Sequence, residues 1–273
     1  MSTRPVPRTG EAIPVVGVGT WQTFDVGAEA PERAELKAVL QRLSTHGGSV
    51  IDSSPMYGEA ERVAGDLVAE LRLRERFFFA TKVWTNGREA GIRQMERSFE
   101  LMRTRRMDLM QVHNLLDVET HTQTLREWKD AGRVRYIGIT HYHSAAYAEL
   151  ERLVKTKTYE FVQLNYSMAE READRRLLGV CAESGTAVIV NRPFAGAGLF
   201  NSVKGRKLPP WTAEIDCASW GQFFLKWILG HPAVTCVIPG TRRVMHLEDN
   251  VRAGSGRLPD AAMRRRMLEY LQS

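Results

Sequence analysis

The chain alternates between short apolar runs and longer stretches whose apolar residues recur at the spacing of one helical face. SVID, RFFFATKV, MDLMQVH, VRYIGIT, YEFVQLNY, TAVIVN and AVTCVIPG are short and apolar throughout rather than alternating, as expected of strands covered on both faces. Between them lie helical patterns. PERAELKAVLQRLSTHG has Pro31 near its first turn and Gly47 beyond its end. EAERVAGDLVAEL, EAGIRQMERSFELMR, ETHTQTLREWKDAG, SAAYAELERLV, EREADRRLLGVCAESG, IDCASWGQFFLKWILG (after a long loop) and VMHLEDNVRAG follow in turn. With PVVGVGTW as the first strand after a short N-terminal arm, these make about eight strand–helix units, and no change of composition marks a linker. The expected fold is α/β: a TIM-type (β/α)8 barrel in one domain over residues 1–273, closed by a C-terminal helix near PDAAMRRRMLEYL. A doubly wound open sheet is the alternative, but VGVGTWQTF lacks the G-x-G-x-x-G spacing that fold places after its first strand.

In such a barrel, chemistry sits at the C-terminal ends of the strands. The second predicted strand ends at Asp52, the third at Lys82 and the fourth at His113, with Tyr57 just past the second, in VIDSSPMYGEAERVAGDLV. Alone, that stretch has a plain structural reading: Asp52 and the Ser53-Ser54-Pro55 run form a turn, and Tyr57 is a half-buried aromatic. Four ionisable groups at adjacent strand ends change the weighing. A phenol with an ordinary pKa of about 10 is a poor proton donor to a carbonyl, and a neighbouring ammonium such as Lys82 lowers that pKa. Asp52 supplies the counter-charge that a buried Lys82 needs. His113 can donate a hydrogen bond to a carbonyl oxygen and orient it. The set stabilises negative charge on one oxygen while Tyr57 delivers a proton, and with no metal cage or nucleophile elbow in the pattern a hydride must come from a bound cofactor.

Composition narrows the partners. A net charge of +6 raises nucleic acid as a partner, but the basic residues are scattered along the chain. Their densest run, Arg264-Arg265-Arg266, lies in a helical segment that reads as a solvated face, so no nucleic-acid partner is expected. No apolar stretch is long enough to cross a bilayer, and MSTRPVPRTG has no hydrophobic signal core, so no membrane partner and a cytoplasmic location are expected. Cys181, Cys217 and Cys236 are odd in number and widely spaced, as for reduced thiols. His141 and His143, with His113 one strand away, raise a metal site, but no carboxylate cluster accompanies them and no metal is expected. Trp220, Phe223, Phe224 and Trp227 fall at the spacing of a buried helical face.

Over almost its whole length the sequence resembles the aldo-keto reductases. The motifs are GVGTW at 17–21, IDSSPMYGEAE, ATKVW, DLMQVHN, RYIGIT, FVQLNYS and VIPGTRRVMHLEDN. The resemblance implies a tetrad of Asp52, Tyr57, Lys82 and His113, and reduction of small-molecule aldehydes or ketones with NADPH. By the same resemblance Gly19, Thr20 and Trp21 face the site, and Gln163 holds the nicotinamide carboxamide with help from Thr140. Gly240, Thr241, Arg242 and Arg243 form the phosphate-binding segment, and Asp249 with Asn250 matches the pair that contacts adenine.

The chain departs from the family's pattern in three places. It has Thr140-His141 where many members have Ser-Asn, and Asn191-Arg192-Pro193-Phe194 where many place an aromatic residue against the nicotinamide, which makes the flat Arg192 guanidinium the candidate stacking partner. Gly240 replaces a common Lys, leaving the ribose phosphate to Arg242 or Arg243. Two other functions stay open: an NADPH-binding regulatory protein resembling the potassium-channel β subunits, with little turnover, and a Schiff-base lyase using Lys82. A monomer is the default expectation.

Overall fold

The computed structural model describes residues 1–272. An N-terminal hairpin of β1 (Thr3–Pro5) and β2 (Ala12–Pro14) precedes the barrel. Eight parallel strands follow: β3 (Val18–Gly19), β4 (Val50–Asp52), β5 (Phe78–Val83), β6 (Met107–His113), β7 (Val134–His141), β8 (Phe161–Asn165), β9 (Ala187–Asn191) and β10 (Val234–Val237). They pair in sequence order, and bridges from Val16 to Val237 and from Gly19 to Gly240 join the last strand to the first. Only glycine fits at position 19, since a Cβ there would lie 2.8 Å from the Ile238 carbonyl oxygen. The expected α/β TIM-type barrel is therefore the observed fold.

The helices on its outside are α1 (Glu32–Thr45), α2 (Ala60–Leu71), α3 (Arg88–Leu101), α4 (Val118–Asp130), α5 (Tyr147–Lys155), α6 (Glu172–Arg175), α7 (Leu177–Ser184), α8 (Gly198–Ser202), α9 (Trp220–Leu229), α10 (Val244–Arg252) and α11 (Ala261–Gln272). Their apolar stripes pack on the outward strand residues in one continuous core that includes Leu40, Phe79, Val112, Trp128 and Trp227. Phe223, Phe224 and Trp227 are fully buried on α9, as the helical spacing predicts.

Inside the barrel the side chains change character from one end to the other. Toward the N-terminal ends of the strands, Val50, Phe78, Leu109, Tyr136 and Phe161 fill the interior, and Val6 and Ile13 of the hairpin close it from below. Two or four residues further along the same strands, the same inward positions carry Asp52, Lys82, Gln111, His113, Thr140, Gln163 and Asn191. The uniformly apolar reading of the strands therefore holds for their first halves only.

Three boundaries differ from expectation. The N-terminal arm is a hairpin, anchored by Arg4, whose guanidinium donates to the carbonyls of Leu229, His231 and Val234. The helix expected over EREADRRLLGVCAESG is broken at Arg176, whose backbone leaves the helical region. The helix expected from Ile215 begins only at Trp220, because the Ser219 hydroxyl caps it by accepting from the Gln222 N–H (3.0 Å) and Asp216 takes a left-handed conformation.

Candidate active site

Strand ends β4, β5 and β6 bring three of the four expected groups together, and the turn after β4 adds the fourth. Lys82 is fully buried, and its Nζ donates to Asp52 Oδ2 (2.7 Å) and to the Ser53 carbonyl oxygen (2.6 Å). The other carboxylate oxygen, Oδ1, accepts from Gln163 Nε2 (2.7 Å) and Gln111 Nε2 (3.3 Å), so both oxygens of the buried carboxylate are satisfied. Thr20 secures the backbone of the turn by donating from its hydroxyl to the Asp52 carbonyl oxygen (3.0 Å) and to Ser53 Oγ (2.9 Å).

Tyr57 lies above this pair, with Lys82 Nζ 5.2 Å from its ring centroid. Gly58, at φ +59°, turns the chain past it, and a Cβ there would meet the Asp25 carboxylate at 2.2 Å. Behind the turn, Glu61 of α2 accepts from the Thr81 hydroxyl (2.5 Å) and ties the helix to β5. The electrostatics correct one expectation. Burial raises the Tyr57 pKa above its ordinary value; the Lys82 charge lowers it and the Asp52 charge raises it. An ammonium acting alone would lower the phenol's pKa, but the apolar surroundings outweigh it. For Lys82, burial favours the neutral amine, yet Asp52 and Tyr57 prevail and its pKa is raised.

His113 sits edge-on to Tyr57, 6.1 Å between ring centroids. Its pKa falls to about 3, first through burial and then through the Lys82 and His141 charges, so the ring is neutral at working pH. Its Nδ1 lies 3.0 Å from Ser54 Oγ, which also accepts from the Met56 N–H (3.4 Å). In the neutral tautomer that accepts from the Ser54 hydroxyl at Nδ1, the ring carries its proton on Nε2, free to meet a ligand. Sequence reasoning missed Ser54, which it assigned to the turn, and missed Gln111, whose neutral amide between Met110 and Val112 carried no signal beyond its inward position on β6.

The residues expected at a cofactor divide into three groups. Around the barrel axis, Thr140 Oγ1 and Asn191 Nδ2 both approach Gln163 Oε1 at 3.4 Å, while Asn191 Oδ1 is buried with no partner. A buried acceptor without a donor fits a ligand that brings an amide N–H, as a carboxamide does. At the rim, Trp21 is 53% exposed, and Arg192 is exposed in a left-handed conformation between Asn191 and buried Pro193. His141 ends β7, with its Nδ1 accepting from the His143 N–H (3.0 Å), and His143 Nδ1 accepts from the Ala145 N–H (3.3 Å).

After β10, Gly240 and Thr241 lead into α10. Thr241 Oγ1 accepts from the Arg243 N–H (3.1 Å), and Arg242 and Arg243 are exposed beside the helix start. An anion is favoured there by the free backbone N–H groups and the helix dipole. Asp249 accepts from Ser219 Oγ (2.6 Å) and Gln222 Nε2 (2.7 Å), so it also fastens α10 to the start of α9; Asn250 beside it is buried.

Comparison with known proteins agrees with this fold. A model of the Aldo/keto reductase family matches residues 15–266. The chain is 28% identical over 246 residues to Methylglyoxal reductase YeaE of Escherichia coli, covering 88% of this chain and 84% of that protein. It is 25% identical over 301 residues to the Aldo-keto reductase yakc [NADP(+)] of Schizosaccharomyces pombe, covering 93% and 87%. The crystal structure of an aldo/keto reductase from Klebsiella pneumoniae in complex with NADP and acetate superposes with a TM-score of 0.81 over 99% of this chain and 96% of that one, at 24% identity, and shares the fold. The chain belongs to the Aldo/keto reductase family of oxidoreductases.

Because the folded-state pKa of His113 is depressed to about 3, the unfolded chain binds the extra proton first; the associated stability is present above pH ~6.5 and is lost as pH falls toward 3. NMR titration of its Cε1 proton should show no protonation step between about pH 8 and 5. A step near the ordinary histidine value would show that the ring is not held neutral.

Proposed function

We propose that this chain reduces aldehydes or ketones to alcohols with NADPH, Tyr57 acting as proton donor. The observation that carries the reading is the buried Asp52–Lys82 pair directly beneath Tyr57 with neutral His113 beside it. NADPH, when held by the residues named below, would supply the hydride. His113 Nε2–H hydrogen-bonds the carbonyl oxygen and holds the carbonyl toward the barrel axis. Tyr57 keeps its proton at rest, because burial raises its pKa, and gives it to the oxygen as negative charge develops there. Lys82, protonated and fixed by Asp52, stabilises the phenolate left behind. Solvent at the barrel mouth then restores the phenol proton. Carbonyl, hydride and proton together account for the alcohol.

Gln163, Thr140 and Asn191 would hold the carboxamide end of the cofactor, with Asn191 Oδ1 taking the amide N–H it lacks; Gly19, Thr20, Trp21, His141, Arg192 and Pro193 border the same end. Gly240, Thr241, Arg242 and Arg243 would take the phosphates, and Asp249 and Asn250 the adenine. Trp21, Met56, Trp84, Tyr142, Phe200 and Met245, the exposed large apolar side chains of the described residues, all follow the C-terminal ends of barrel strands. That rim favours carbonyls carrying an aromatic or aliphatic group. Aromatic aldehydes are therefore the first substrates to test, with methylglyoxal, named for the Escherichia coli relative, as a small comparison.

The lyase alternative is weakened by the same site. A Lys82 amine that is fully buried, doubly hydrogen-bonded and raised in pKa is poorly placed to attack a carbonyl. The expected cytoplasmic location has the support of three buried, unpaired thiols.

Tyr57→Phe should lower kcat for aldehyde reduction by roughly 10²-fold or more while NADPH binding, followed by fluorescence titration, stays within about threefold. Near-normal turnover would remove Tyr57 as the proton donor, and absence of turnover in the wild-type chain with intact NADPH binding would favour a regulatory role.

Two adjacent guanidiniums can discriminate NADPH from NADH only through the ribose phosphate. A charge-assisted hydrogen bond of about 1.5–3 kcal/mol corresponds to roughly tenfold to a hundredfold in affinity. Arg242→Ala or Arg243→Ala should weaken NADPH by about that factor and leave NADH little changed, and salt should narrow the gap. Equal losses for both cofactors would show that these arginines do not read the phosphate.

A further inference from the structure

At the end of the barrel away from the proposed active site, the loops entering β5 and β6 and the start of β7 surround a recess of about 520 Å³. Six arginines line it: Arg74 and Arg76 in the turn before β5, Arg103, Arg105 and Arg106 between α3 and β6, and Arg135 on β7. The carboxylates among the lining residues are Glu11, Glu75 and Asp108. Along the chain these arginines are spread over sixty residues; only the fold gathers them.

They are of two kinds. Arg74, Arg103 and Arg135 are tied down. Arg74 donates to the Phe77 carbonyl oxygen (2.7 Å) and to Asp108 (3.1 Å), Arg135 to Asp108 (2.9 Å) and Glu11 (2.5 Å), and Arg103 to Asp66 (2.6 Å). These contacts join the hairpin to the barrel floor and consume Glu11 and Asp108. Arg76, Arg105 and Arg106 are exposed, and among the described residues their side chains make no hydrogen bond or ion pair.

Six guanidiniums against the three carboxylates of the lining, with Glu11 feeling the charges of both Arg135 and Arg106, leave an excess of positive charge that repels itself around one concavity, and the recess walls focus its field. A dianion or a longer polyanion placed there relieves that repulsion and offers each planar fork a pair of oxygens. Carboxylates on a partner surface would meet them one at a time, whereas a chain of linked phosphates offers several charges at once and suits a recess of small-molecule size.

We infer that this recess is a second ligand site, separate from the cofactor segment, that takes a soluble small anion bearing two or more linked phosphates. The test is isothermal titration with inorganic tripolyphosphate at about 50 mM salt, where counterion effects remain strong. The proteins are the wild type, Arg105→Gln, the triple variant Arg76→Ser/Arg105→Ser/Arg106→Ser, and Arg242→Ala/Arg243→Ala. The expected result is a site distinct from any at the cofactor segment, weakened at least tenfold in the triple variant and measurably in Arg105→Gln, retained in the Arg242/Arg243 variant, and weakened by salt. Because the replaced side chains are exposed and unpaired, the triple variant's unliganded melting temperature should match or exceed that of the wild type.

Unchanged affinity in both rear-face variants, loss in the Arg242/Arg243 variant alone, or many weak ions per chain would overturn the assignment. Tighter binding of a single-stranded oligonucleotide than of tripolyphosphate would overturn the small-anion reading in favour of nucleic acid. The outcome does not depend on the proposed reductase activity, since no cofactor or substrate enters the measurement.

Discussion

The ion pair between Asp52 and Lys82 is the constraint around which the C-terminal end of the barrel is organised. A fully buried ammonium is costly unless acceptors meet it, as two carbonyl oxygens meet Lys226 and a carboxylate meets Lys82, and a buried carboxylate is costly unless its oxygens are hydrogen-bonded. Lys82, Gln163 and Gln111 satisfy Asp52 from three different strands, and Ser53 gives Lys82 a second acceptor. A well-packed apolar pair would serve stability at least as well. Such a pair is better understood as holding one positive charge at a set place beneath a phenol. The same low-dielectric surroundings that make the pair costly keep Tyr57 protonated and His113 neutral, so one feature of packing sets two protonation states while Asp52 sets that of Lys82.

The barrel interior shows how a single alternating pattern can be both core and site. Inward positions near the hairpin are apolar and aromatic, and the same positions two or four residues further on are amides, hydroxyls and ions. Rigidity comes from the first set, with Phe78, Tyr136 and Phe161 packed ring to ring. The polar set inherits its geometry from strands it does not itself hold together. The connections above it carry the apolar rim and the Gly240–Arg243 segment.

Much of this was legible in the sequence. Parallel strands buried on both faces leave apolar runs that stop near an ionisable residue, so Asp52 and His113 marked their own strand ends and Lys82 fell one residue before its own, and adjacency in a barrel follows from chain order. Features that depend on contacts distant in sequence were not legible. Ser54 looks like any turn serine until β6 brings the His113 ring to its hydroxyl, 59 residues away in sequence. The net effect on Tyr57 required knowing how much apolar matter surrounds it, which residue types alone do not give. The break at Arg176 and the late start of α9 were local choices decided by packing and by the Ser219 cap, against a helical pattern that continued through both. The arginine recess is invisible along the chain because its members come from two loops and a strand.

The central claim is that Lys82 acts through Tyr57 and has no separate route to the reacting oxygen. A double-mutant cycle on kcat for aldehyde reduction, using Tyr57→Phe, Lys82→Met and the two combined, tests it directly. The account predicts strong non-additivity: once the phenol is gone, removing the ammonium should slow the reaction by no more than about twofold further. Independent, multiplicative losses from the two substitutions would contradict it.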